Sequence, residues 1–160
     1  MSLEMKPEIK VALEKIKFVD RYKLLSGKYQ NNSNDVDDKL ERYDIEDVKA
    51  IIKKLGYDAE FDKKEKFFKV GVLDESPNYK IWFNIILEYG MTEFIWVVYH
   101  HDEVRLGSPW SVYSRFLVDP KERIKKPVYN SYEELEQILK EAFSMYDDFK
   151  GELINLYNEQ

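Results

Sequence analysis

The chain has 160 residues, 44% of them apolar and 15% aromatic, with 35% charged residues and a net charge of −6. That balance excludes disorder and suits a single domain that buries roughly 70% of its unfolded surface. It contains no cysteine, which excludes disulfides and thiolate chemistry. The longest apolar runs fall far short of the roughly 20 residues of a membrane helix, and no leader is read at the start, so a cytoplasmic protein without membrane attachment is expected. Acid dominates 31–62 and 130–160, which argues against direct nucleic-acid binding and for a basic protein partner.

Residues 1–5 are expected to lie outside the fold. From Pro7 to residue 25 the chain reads as one amphipathic helix, with Ile9, Ala12, Leu13, Ile16 and Val19 on a stripe and Gly27 at its end. The polar stretch 28–35 reads as a mobile loop. Residues 36–43 read as a short helical turn, and Asp44 caps a firmer helix through Val48, Ile52 and Leu55 that Gly56 closes.

Residues 57–62 and 66–73 read as two strands joined by a lysine-rich turn, and Ser76-Pro77-Asn78 leads into a hairpin centred on Gly90. Both alternating sets of this hairpin are apolar: Ile81, Phe83, Ile85 and Leu87 against Trp82 and Ile86, then Phe94, Trp96 and Val98 against Ile95 and Val97. Successive strand residues point to opposite faces, so both faces need cover, from helices or from a second copy. Helices are the expected cover, and Ile95 and Val97 are expected in the core with the residues around them.

Ser108 reads as the cap of a helix that has Pro109 in its first turn and Trp110, Tyr113, Phe116 and Leu117 on one side. Val128 and Tyr129 read as a brief fifth strand. Ser131 and Glu134 form a capping box that opens a long terminal helix in which Gly151 is the weak point. The expected fold is therefore α+β, one antiparallel sheet built as a four-strand meander with a short fifth strand, flanking helices and a long C-terminal helix, in one domain spanning 1–160.

His100, His101, Asp102 and Glu103 gather both histidines beside two carboxylates. If the strand continues through His101, the two imidazoles point to opposite faces and cannot share a metal ion. The acids of 35–47 miss the ligand spacing of an EF-hand, since Lys39 and Leu40 fall where an oxygen ligand and a glycine are needed. Ser108, Ser111 and Ser114 lack a nucleophile elbow, and neither GxGxxG nor a phosphate-binding loop occurs. No catalytic residue, metal or cofactor is assigned. Lys121, Arg123, Lys125 and Lys126, with Arg115 and Tyr129, form the basic cluster, read as a solvated loop.

The element order resembles that of small bacterial chaperone-like and immunity-type proteins, which bind another protein and perform no chemistry. The leading expectation is thus an acidic protein-binding module, monomer or homodimer, that meets a basic partner through Asp35, Asp37, Asp38, Glu41, Asp44, Glu46 and Asp47 or through its last helix. A small hydrolase or metal-dependent enzyme around His100, His101, Asp102, Glu103 and Trp110 is the second expectation. A small-ligand pocket between the sheet and the helix at Trp110 is the third.

Overall fold

A computed structural model describes residues 5–30 and 42–159. The amphipathic run near the N-terminus folds as two helices, α1 (Pro7–Lys15) and α2 (Phe18–Lys28). Lys17 separates them in the left-handed conformation, φ 57°. This one-residue break rotates the second half: α1 buries Ile9, Ala12 and Leu13, whereas α2 buries Phe18, Tyr22 and Leu25 and leaves Val19 half-buried. A continuous helix would have turned Phe18 off the stripe, so tertiary packing sets the break. Met5 packs against the core and Lys28 still belongs to α2, so neither is detached as expected.

Helix α3 (Ile45–Lys54) starts at Asp44, whose carboxylate accepts the Asp47 N–H at 3.1 Å. It ends before Gly56, φ 99°. The helical turn read over 36–43 falls mostly outside the described residues.

The sheet comprises β1 (Ala59–Asp62), β2 (Phe67–Glu75), β3 (Tyr79–Glu88), β4 (Met91–His100) and β5 (Glu103–Leu106), antiparallel in sequence order. The β3–β4 turn is Tyr89-Gly90, with φ 54° and 77°. Two left-handed residues match the right-handed twist of the strands they join. The β4–β5 turn, His101-Asp102, has the same form, with φ 50° and 64°. Here is the fifth strand. Val128 forms only an isolated bridge to Met91, while the Tyr129 N–H donates to the Gly90 carbonyl. The 128–129 segment thus props the hairpin tip and does not extend the sheet.

The register pairs Ile81 with Val98, Phe83 with Trp96 and Ile85 with Phe94, and these side chains form the buried face. Helix α4 (Trp110–Leu117) follows Pro109, which occupies the capping position without a side-chain cap. Ser108 does not cap it, because Pro109 is held in a bridge to Ile95. In α5 (Tyr132–Asn158) Ser131 caps as read, its Oγ accepting the Glu134 N–H. The Glu134 carboxylate, however, accepts the N–H of Asn130, one residue before the cap, so the reciprocal half of the capping box is displaced by one residue. Gly151 does not interrupt this helix.

The five helices of the described residues pack on one face of the sheet. Phe18 of α2 and Trp110 of α4 meet Trp96 edge-on, Phe149 of α5 stacks on Trp96 at 4.5 Å, and Tyr146 meets Phe83. Val48 and Ile52 join the same core. The opposite face carries no helix among the described residues, contrary to the expected two-sided cover. Accordingly Ile95 and Val97 are only half-buried, with Trp82 and Ile86. Among the described residues no helix is long and apolar enough to cross a membrane.

Candidate functional site

The histidine cluster is arranged differently from its expected geometry. His101 leaves the strand in the turn, so its ring does not diverge from that of His100 but lies 4.1 Å from it, centroid to centroid. His100 also stacks on Tyr157 of α5 at 3.9 Å, with the planes 9° apart. Behind them Arg105 of β5 forms a two-pronged pair with Glu8 of α1, at 2.6 and 2.8 Å, and the Tyr157 hydroxyl donates to the same carboxylate at 2.9 Å. Glu103 accepts from Arg105 at 3.0 Å. The group ties the start of α1 and the end of α5 to the sheet corner. Among the described residues no three histidine, aspartate or glutamate side chains form a metal-holding set. Trp110 is not at this corner; it is fully buried among Phe18, Tyr22, Phe94 and Trp96.

Charge explains how this corner behaves with pH. Burial by itself would raise the Glu8 carboxyl, but the hydrogen bonds from Arg105, the backbone and Tyr157 together with the Arg105 charge outweigh it and hold Glu8 below its ordinary value. Burial and the adjacent His101 hold the His100 imidazole below its ordinary value as well. Both groups bind protons more weakly folded than unfolded, so their contribution is present above the unfolded values and is lost as pH falls. Stability should decline slightly below about pH 6.5 as His100 charges, and more steeply below about pH 4.5 as Glu8 is neutralised. Arg105→Met should cost about 2 kcal/mol at pH 7 by leaving a largely buried carboxylate unpaired. It should also flatten the steep acid limb, because without Arg105 the buried Glu8 carboxyl no longer lies below its unfolded value. Urea denaturation at pH 7, 5.5 and 4 checks this; identical acid limbs in the two proteins would show that the pair is inert.

The acidic candidates divide. Asp35, Asp37, Asp38 and Glu41 lie outside the described residues. Asp44 is occupied as a helix cap, and Glu46 makes only a 4.0 Å contact with Lys49. On α5 the acids hold neighbouring elements: Glu136 pairs with Lys54, Glu141 and Asp148 with Arg21, and Glu152 with Lys15. The basic loop does not converge on one point either, since Lys126 pairs with Glu93 at 2.9 Å and Arg123 donates to backbone carbonyls. Ser111 donates to Glu93, and Ser114 is fully buried. Trp110 and its neighbours fill the space where a ligand pocket was expected.

What the sequence reading left without a role is the helix-free face. Trp82 stacks with Tyr99 at 5.7 Å, planes 13° apart, and the Lys69 ammonium lies 4.6 Å above the Trp82 ring with Lys80 at 5.7 Å. Phe67, Ile86, Ile95 and Val97 extend the apolar surface as half-buried residues, and Val104 is 51% exposed. A cleft of about 330 Å³ opens beside the aromatic pair, lined by Pro77, Tyr79, Trp82, Tyr99, Lys80 and Asp102. The signal for this face was in the sequence, as the second apolar set of the hairpin. Its exposure was not.

Comparison of the chain with models of protein families, with curated proteins and with solved structures gives no match.

Proposed function

We propose that this is a cytoplasmic protein-binding module without chemistry of its own, and that it binds through the helix-free face of the sheet. The observation that carries the reading is the Trp82–Tyr99 pair with Lys69 and Lys80 above it, set in a continuous half-buried apolar surface. Tryptophan and tyrosine are among the residue types that dominate binding energy in protein interfaces. An antiparallel sheet with one solvated face normally alternates apolar and polar residues, and here the alternation is broken on the central strands. The acids of 31–62 and 130–160 then serve solubility and the rate of encounter, which exposed charges influence more than affinity.

The histidine corner supports no competing catalytic reading, because its carboxylate, guanidinium and phenol are engaged with one another in a tie between elements.

The reading is tested with Trp82→Glu against Leu24→Glu, the latter altering a 75% exposed leucine of α2, on the helical side. Trp82→Glu should abolish retention of any protein partner on the immobilised chain while changing stability by only about 1 kcal/mol, as substitutions at half-exposed sites do. Leu24→Glu should retain it. Equal retention by both variants would remove the face from the reading.

A further inference from the structure

Resting on that reading, we infer that the occupant of the face is a second copy of the same chain, packed sheet against sheet. Three features of the face point to it. The first is charge. Its central cations, Lys69 and Lys80, sit over Trp82, and Lys69 has no carboxylate within 4 Å among the described residues, while Lys80 reaches Asp74 only at 3.7 Å. An acidic neighbour suits them. The same face is bordered by Glu60, opposite Lys69 on β1, by Asp74, opposite Lys80 on β2, and by Asp102 of the β4–β5 turn, so a copy laid over the face sets acids of one chain against lysines of the other.

The second is symmetry. The sheet order places β3 in the middle, and the outward residues of β3 are Lys80, Trp82, Asn84 and Ile86. A two-fold axis lying in the interface, whether along the strands or across them, sets β3 over its own copy. Asn84 stands at the centre of that strand, paired with Ile95 of β4, so the same axis brings the two Asn84 residues to the middle of the interface.

The third is area. Strands of these lengths, spaced about 4.8 Å apart with a rise of about 3.4 Å per residue, make a flat face of roughly 600 Å². Corrugated by side chains, it approaches the roughly 800 Å² per partner of a standard interface. Edge-to-edge association is the poorer alternative, because β1 and β5 are four residues each and short edges offer little to pair with.

The experiment is sedimentation of the full chain from about 5 to about 500 µM, a range that brackets micromolar dissociation constants. The mass should rise from that of one 19.2 kDa chain to twice that value. Ile95→Glu and Trp82→Glu should hold the protein at one chain throughout, with unfolding curves close to wild type, while Leu24→Glu still dimerises. A second measurement does not depend on destabilising the face. The chain has no cysteine, so Asn84→Cys treated with a bismaleimide of about 10 Å span, the spacing of stacked sheets, should give a covalent dimer, and Leu24→Cys should not. A wild-type chain that stays single at the highest concentration overturns the inference, as does a dimer indifferent to both face substitutions or an Asn84→Cys protein that does not cross-link. If the chain is single but captures a different protein in a Trp82-dependent way, the second copy is overturned and the binding face stands. If it does neither, both fail.

Discussion

Phe83→Ala should lower the stability of the protein by about 3–5 kcal/mol, the range for removing a fully buried phenylalanine and leaving a cavity. Phe83 lies at the middle of the central strand with no exposed surface. Its ring meets Phe94, Trp96, Trp110, Phe143 and Tyr146 at centroid distances of 5.4, 6.1, 6.1, 5.7 and 5.2 Å. It therefore joins both long strands of the hairpin to α4 and α5 at once. These aromatic neighbours are held by further aromatic neighbours and cannot collapse into the space, which places the expected loss toward the upper end. A domain of this kind has about 5–15 kcal/mol in all, so the variant should unfold at distinctly lower urea concentration and melt earlier by about 2–4 °C for each kcal/mol lost. Phe83→Leu, which keeps most of the volume, should lose only about 1–1.5 kcal/mol. Urea unfolding followed by tryptophan fluorescence measures both, and a loss below about 1 kcal/mol for the alanine variant would show that the core is not centred there.

The parts of the fold that the sequence disclosed are those whose signals are local and redundant. The β3–β4 hairpin has ten paired positions and a Tyr-Gly turn, and α5 opens on a serine cap whose Oγ accepts the Glu134 N–H. Where one residue decides, the reading failed. Lys17 in the left-handed region carries no sequence mark, since lysine is an ordinary helix former, and the consequence was to assign Val19 in place of Phe18 to the core. His101-Asp102 forms the same kind of turn as Tyr89-Gly90 but without glycine, so β4 read as running on and β5 was missed. Losing that turn also misplaced the histidines, which stack because the strand has already ended. Pro109 took the capping position from Ser108 because a bridge to Ile95 holds it extended. For the binding face the pattern of residues was legible and the cover was not: two apolar sets on one hairpin imply two surfaces, but which surface the helices take is decided by packing far away in sequence, as when Phe149 stacks on Trp96.

Gly71→Ala should destabilise by about 2–4 kcal/mol, although it adds a single methyl group to a strand. Gly71 sits at the β-bulge between Val70 and Leu73 with φ 61°, a conformation that costs a residue with a Cβ about 1–2 kcal/mol. The added Cβ would lie 2.8 Å from Cε2 of Tyr146 and 3.3 Å from the ring of Tyr57. Neither ring can easily give way. Tyr146 is fully buried, is packed on Phe83, and donates its hydroxyl to the Gly71 carbonyl at 2.7 Å. That hydrogen bond ties α5 to the stretch of β2 that lies beyond its pairing with β1, so moving Tyr146 aside would also release the carbonyl. The overpacking adds about 1–3 kcal/mol to the conformational term. Gly151→Ala is the matched control: it lies within α5 with nothing beyond its chain neighbours and the helix's own backbone within 4 Å of the new Cβ, and should stabilise by about 0.5–1 kcal/mol through helix propensity. The two variants make the same chemical change with opposite expected signs. Urea midpoints that shift in the same direction for both would show that the bulge and its contact with Tyr146 do not constrain the sheet.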